Sequence, residues 1–267
     1  MASAPTLLVA LLLLAPAAAL AHGSDGHAID PPLHVDPTLE ECSVIFSADL
    51  TQDAFRRFVR EFGSVSAFKP NATAAPLGRG GFTFGLEQLS FSLDDHSDAW
   101  NDTFSHPDAE HELGDEQSFP LARARVGVTD KLDLGAFWTR NMNANYGWLG
   151  LEARYAFANS GGDSPVHFAA RAAYTKTLYV HDMDMHTITA EVGGSRTYWS
   201  RLTPFVYLGS DVVIARERSD VVALHSETQF VPHAIAGAEL RWWHLALGGE
   251  VVAATVPSYQ LSVATAF

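Results

Sequence analysis

Several scarcities bound what this 267-residue chain can be. The one cysteine, Cys42, excludes an internal disulfide and leaves no cysteine cluster for a structural zinc or an iron–sulfur site. Positive charge is short: 17 Lys and Arg stand against 31 Asp and Glu, a formal net charge of −14. That balance argues against nucleic acid as a partner, because phosphate binding needs clustered cations. Mean hydropathy near zero makes the chain too polar for a bundle of membrane helices. An apolar fraction of 47% makes it too apolar for disorder. Catalytic motifs are also missing. No Gly-x-Ser-x-Gly occurs, and His225, Ser226 and Glu227 are the only tight grouping of nucleophile, base and acid. No enzyme is expected.

What is present begins with an export signal. Leu7 to Leu14 are apolar, Pro16 interrupts, and Ala19-Leu20-Ala21 forms an A-x-A-like cleavage pattern, so residues 1–21 read as a secretory signal peptide. Residues 22–49 form a polar tail with Pro31, Pro32 and Pro37. Residues 50–79 read as an amphipathic helix and linker. Phe55, Phe58, Val59 and Phe62 repeat at helical spacing, Arg56, Arg57 and Arg60 sit elsewhere, Asp49 or Thr51 can cap the start, and Gly63 can end it. Lys69 to Arg79, with Pro70, Pro76 and Gly78, forms the linker.

Residues 80–267 change texture to segments of about ten residues that alternate apolar with polar or small side chains. Ten can be read: 81–93, 120–128, 132–141, 146–158, 166–179, 186–198, 203–216, 230–241, 245–254 and 259–267. In the first, Phe82, Phe84 and Leu86 fall out of step with Leu89, Phe91 and Leu93, which predicts a bulge near Glu87 or Gln88. Connections alternate between long and tight, as in outer-membrane barrels, except that 142–145 is short on the long-loop side and 159–165 long on the short-turn side. The fold expected is all-β: a closed antiparallel up-and-down transmembrane β-barrel of about ten strands (eight to twelve), preceded by the short helix. A soluble β-sandwich is the competitor, since alternation alone does not say which face meets water.

Aromatic placement and the polar face favour the barrel. Trp138, Tyr146, Trp148, Tyr155, Tyr198, Trp199, Trp242, Trp243, Tyr259 and Phe267 lie near strand ends, where rings can straddle a headgroup boundary. Opposite a charge-poor face stand Arg123, Arg125, Glu152, Arg154, Arg171, Glu191, Asp211, His233, Glu239, Arg241 and Glu250. In a barrel of this size these side chains fill the lumen and pair across it. A constitutive wide pore is not expected. The helix can enter the lumen, its three arginines facing Glu152, Glu239 or Glu250, or lie on or cap the periplasmic side.

The last strand carries a resemblance. Tyr259, Leu261, Val263, Thr265 and the terminal Phe267 alternate with Gln260, Ser262, Ala264 and Ala266. The segment resembles the C-terminal recognition strand of bacterial outer-membrane β-barrel proteins, with Thr265 departing from an all-apolar pattern. The resemblance implies an outer-membrane location with periplasmic termini. As partners it implies outer-membrane lipid, lipopolysaccharide and the barrel-assembly machinery, which would read Tyr259, Leu261, Val263 and Phe267. The helix and linker before the first strand are also similar to the N-terminal plug of outer-membrane long-chain fatty-acid transporters, whose barrels are larger.

Two functions follow as expectations. One is transport or permeation of small solutes, hydrophobic ones included, past the N-terminal plug. The other is a non-transporting structural or surface-binding barrel. The loop from Asp94 to Gln117 is dense in carboxylates and holds His96, His106 and His111, while His181 and His186 flank a second acidic group. Such sets invite divalent cations through oxygen and imidazole ligands, although no calcium-loop spacing is present. No other cofactor is expected.

Overall fold

The computed structural model describes residues 42–105, 113–160 and 165–267. The expected signal peptide and most of the polar tail lie outside the described residues. In chain order the elements are β1 (Ser43–Val44), α1 (Gln52–Ser66), β2 (Phe82–Ser92), α2 (Asp98–Asn101), β3 (Phe104–Ser105), β4 (Glu116–Gly127), β5 (Leu132–Arg140), β6 (Gly147–Asn159), β7 (Val166–Leu178), β8 (Met183–Arg196), β9 (Leu202–Glu217), β10 (Glu227–Trp242), β11 (Leu245–Ala253) and β12 (Ser258–Ala266). Ten of the strands, β2 and β4 to β12, pair antiparallel in sequence order, and β12 returns to β2 to close the barrel. The small pair β1 and β3 stands apart from it.

The side assignment follows the alternation. Leu151, Leu208 and Leu261 are 54%, 63% and 63% exposed on the outer face, whereas Glu152, Arg154, Arg171 and Asp211 are buried inside. Apolar outside and ionic inside is the arrangement of a membrane-spanning barrel and the reverse of a soluble sandwich. Both rims carry exposed rings beside cations: Arg140 lies 4.4 Å from the Tyr179 ring and Arg201 4.6 Å from the Trp242 ring.

Several expectations need correction. There is no bulge near Glu87: β2 pairs with β12 and β4 in unbroken register from Leu86 to Leu89. Phe82, Phe84 and Leu86 point outward while Glu87, Leu89 and Phe91 point inward in one continuous alternation. The apparent phase change arises because the lumen itself changes from polar to apolar along the barrel. For the same reason Tyr146 and Trp148, expected at a lipid rim, are buried within an interior aromatic cluster. Pro120 does not begin its strand, since residues 116–121 pair with β2 without a β5 partner and an edge tolerates a missing N–H.

The two ends of the barrel differ. At one, the loop end, the connections following β2, β5, β7 and β9 meet β1 and α1. At the other, the turn end, tight reversals such as Tyr198–Arg201 put Trp199 and Ser200 at positive φ of 50° and 57°. Strand β12 finishes at the turn end, where Phe267 and Phe82 exchange backbone hydrogen bonds of 2.8 and 3.0 Å.

Helix α1 starts where the Thr51 hydroxyl accepts the Ala54 N–H at 3.2 Å. Gly63 does not end it; the helix continues to Ser66, and Gly63 marks where its backbone approaches the Val213 side chain too closely for a Cβ. An arginine introduced at Leu208, near the middle of β9 and facing lipid, is expected to destabilise the folded barrel by about 2–4 kcal/mol. Urea titration in lipid vesicles would read this, and an unchanged transition would place Leu208 away from the hydrocarbon.

Candidate functional site

The lumen contains a stretch of chain that belongs to no sheet. After α1 at the loop end, residues 67–77 run through the interior to the turn end as an irregular, bent segment with Asn71 at a positive φ of 33°. There Gly80 donates to the Gly127 carbonyl at 2.8 Å and the chain reverses into β2. A backbone crossing a lumen loses its water partners, and each of its polar groups needs a substitute. Wall side chains supply them. Arg171 donates to the Phe68 carbonyl at 2.5 Å, Arg123 to the Lys69 carbonyl at 2.7 Å, and Arg125 to the Pro70 carbonyl at 3.1 Å. Arg154 donates to the carbonyls of Thr73 and Ala75. The amides are met in turn: Phe68 by the Thr175 hydroxyl at 3.2 Å, Asn71 by Glu250 at 2.8 Å, Ala74 by the Ser195 hydroxyl at 3.0 Å and Leu77 by Asp133 at 3.1 Å.

The same arginines are held by carboxylates of the wall. Glu152 bridges Arg125 at 2.8 Å and Arg171 at 2.5 Å; Arg171 reaches Glu191 at 2.7 Å, and Arg154 reaches Asp133 at 2.6 Å. Each ring nitrogen of His233 faces a carboxylate, Glu191 at 2.8 Å and Asp211 at 3.1 Å, the geometry in which an imidazolium donates from both sides. In the ionic layer, the buried Lys69, Arg123, Arg125, Arg154 and Arg171 give five positive charges, while Glu87, Asp133, Glu152, Glu191, Asp211 and Glu250 give six negative; a seventh buried carboxylate, Glu227, pairs with Arg56 at the loop end. A charged His233 brings that layer to neutrality.

Toward the loop end this ionic layer gives way to rings. Phe58 and Phe62 of α1 descend onto Trp100, Phe104 and Trp148, with centroid separations of 5.2 Å for Phe58–Trp100 and 5.7 Å for Phe62–Trp148. Phe119 joins Trp148 at 5.1 Å. The cluster seals that end. Toward the turn end a cavity of about 150 Å³ remains beside the threaded segment, with Arg201, Arg241 and Glu239 among its lining residues. Asn71 also lines it, and both of its side-chain amide atoms lack a protein partner.

The lumen residues read from sequence are therefore brought together: Arg123, Arg125, Glu152, Arg154, Arg171, Glu191, Asp211 and Glu250 form one buried network, with Glu239 and Arg241 at its turn-end mouth. The helix is a correction. Arg56 and Arg57 do not meet Glu152, Glu239 or Glu250. They pair with Asp53 at 2.6 Å, Glu227 at 3.2 Å, Glu61 at 2.7 Å and Asp94 at 3.1 Å at the loop end, and Arg60 is exposed. The Phe face packs into the ring cluster rather than onto a leaflet, so α1 lies at the end opposite to the C-terminal residue. Sequence reasoning missed Lys69, Glu87, Asp133 and Gln260 as interior groups. The spacing of Glu87 and Asp133 within their strands carried that signal.

Among the described residues, no group of three or more His, Cys, Asp or Glu side chains is placed to hold a metal ion. His96 is exposed beside Asp95, His181 is exposed 3.5 Å from Asp182, and His186 lies 3.4 Å from Asp184 and contacts the Tyr174 hydroxyl at 2.5 Å. His106 and His111 lie outside the described residues. Tyr259, Leu261 and Phe267 are exposed on the outer face of the closing strand, with Val263 on the same face.

No protein-family model and no curated protein sequence matches this chain. Among solved structures it is similar to the Yersinia pestis outer membrane protein Ail in a phospholipid bilayer nanodisc, at 12% identity and a TM-score of 0.34, over 71% of this chain and 100% of that one. It is also similar to the KdgM porin, at 8% identity and a TM-score of 0.31, over 70% of this chain and 99% of that one. Pseudomonas aeruginosa OccK5 is a further neighbour, at 10% identity and a TM-score of 0.21, over 70% of this chain and 66% of that one. Likeness of this degree assigns neither a solute nor a role.

Replacing Arg171 by Met strips partners from Glu152, Glu191 and the Phe68 carbonyl together. The expected loss is about 3–5 kcal/mol of folding stability, as for other broken buried ion pairs, measured by denaturant titration in detergent or lipid. A second expectation concerns Asp102 at the loop end. Burial first, and then Asp98 and Asp49, raise its carboxyl above the ordinary aspartate value. Ionising it therefore costs stability above that raised value, and the cost disappears as pH falls toward the unfolded value. Amide exchange at Ser47, which donates to the Asp102 carbonyl at 2.8 Å, should slow on acidification beyond the intrinsic change, and Asp102→Asn should flatten that response.

Proposed function

We propose that this protein is an outer-membrane barrel closed at rest by its own chain, with a structural or surface-binding role rather than that of an open pore. The observation that carries this reading is the peptide-level hold on residues 68–77. Four arginines from β4, β6 and β7 donate to main-chain carbonyls while carboxylates of the wall fix the arginines. A solute crossing the lumen would need this segment to leave, and its departure would take five carbonyl acceptors from the wall arginines together. The ring cluster adds a second closure at the loop end.

Outer-membrane lipid and lipopolysaccharide are the partners that suit the apolar outer face, and the barrel-assembly machinery suits the exposed residues of β12. Solute permeation past a released plug is the competing role. It draws support from the turn-end cavity, whose lining includes Arg154, Arg201 and Arg241.

Planar-bilayer recording separates the two. The unaltered protein is expected to give no sustained conductance. Substituting Arg154→Ser together with Arg171→Ser removes the donors to Phe68, Thr73 and Ala75 and is expected to produce intermittent openings. Steady conductance from the unaltered chain would overturn the closed reading. Silence from both forms would remove the threaded segment as the element that closes it.

A further inference from the structure

We infer that the barrel displays its own N-terminal segment on the outer face of the membrane, the chain having passed through the lumen to get there. This deepens the closed-barrel reading and rests on it. The first ground is direction. Every polar contact made by residues 44–57 with the barrel lies at the loop end. The Val44 N–H donates to Asn145 at 2.7 Å, the Phe46 N–H to Asp182 at 2.9 Å, the Gln52 amide to the His225 carbonyl at 3.1 Å, and Arg57 to Asp94 at 3.1 Å. Those partners sit on the connections that follow β5, β7, β9 and β2, all on one face. Phe82 and Phe267 sit on the opposite face. Between Ser66 and Phe82 the chain therefore crosses the whole thickness of the barrel, inside it.

The second ground is which face is outside. Short turns of membrane barrels face the periplasm and longer connections face out. Tyr198–Arg201 and Trp242–Leu245 are tight reversals at the turn end, while 93–115 and 218–226 connect strands at the loop end. This puts β1 and α1 outside the cell and the C-terminal strand's end in the periplasm.

The third ground is that the threaded stretch is suited to retention in the lumen. From Asn71 to Ala75 its side chains are small: Asn71, Ala72, Thr73, Ala74 and Ala75. There the wall grips main-chain carbonyls and amides. Such a hold locks once α1 and the Trp100 cluster have packed at the far end. The larger Phe68 lies at the apolar side of the ionic layer, against Phe137 at 4.5 Å and beneath Arg123 at 4.6 Å. A folded helix with its ring cluster then acts as the stop that keeps the segment from returning.

The test is labelling of single cysteines in the full-length protein, in a Cys42→Ser background, with a membrane-impermeant maleimide on intact cells and after outer-membrane permeabilisation. Three exposed positions report separately: Asp49→Cys before α1, Asp220→Cys in the β9–β10 connection and Asp130→Cys in the β4–β5 turn. Display predicts that Asp49→Cys and Asp220→Cys label on intact cells to the same extent. Asp130→Cys should label at least tenfold more after permeabilisation than before. Labelling of Asp220→Cys without Asp49→Cys on intact cells would overturn the display inference and leave the outer-membrane barrel standing. Failure of Asp220→Cys to label on intact cells would overturn both, as would labelling of Asp130→Cys there.

Discussion

A peptide segment without a strand partner can cross a water-poor lumen only if something else satisfies its main chain, and the rest of this structure is arranged around that requirement. Arginine suits the task because its planar fork donates in several directions at once. Arg171 serves the Phe68 carbonyl and two carboxylates, and Arg154 serves two carbonyls and Asp133. The carboxylates are needed in turn, since unpaired guanidinium groups in such a place would be costly. The wall's ionic residues are thus a consequence of the threaded backbone as much as of the barrel's size.

This dependence divides the lumen into two layers with different physics. Around Glu152 and His233 the interior is held by directional, paired contacts. Around Trp148 and Phe62 it is held by close-packed rings, which exclude water without specifying partners. The helix contributes to the second layer and the threaded segment to the first. The two are consecutive in sequence, so the fold places each layer at the height where the chain delivers the matching side chains.

The barrel was legible in the sequence because a period of two survives in every wall strand, and a charge-poor face opposite Arg125, Arg154 and Arg171 marked the inner side. The C-terminal alternation from Tyr259 to Phe267 carried the same message. The two-layer lumen was not legible, and its trace in β2 was read as a bulge. Leu89 and Phe91 look like a shifted outer face unless one knows that the interior at their height is apolar, Phe91 stacking on Phe119 at 5.8 Å. The helix itself was found from Phe55, Phe58, Val59 and Phe62, but its side of the barrel was not. Nothing local to Arg56 or Arg57 distinguishes a partner in Asp94 from one in Glu250. That choice is made by residues 67–77, which give no periodic signal and whose contacts with the wall are all long-range.

The glycine turn at the far end of the threaded segment has a mechanical side. Gly78 and Gly80 adopt φ values of 79° and 80°, open to glycine with little strain, so the chain reverses there and β2 runs back beside its own lead-in. Tension applied to the helix would run along the segment's axis and reach Arg154, Arg171, Glu250, Ser195 and Asp133 on five different staves. The bonds would be stressed in shear, many at once, instead of being unzipped singly from one edge. Whatever tugs at that end works against the whole cylinder.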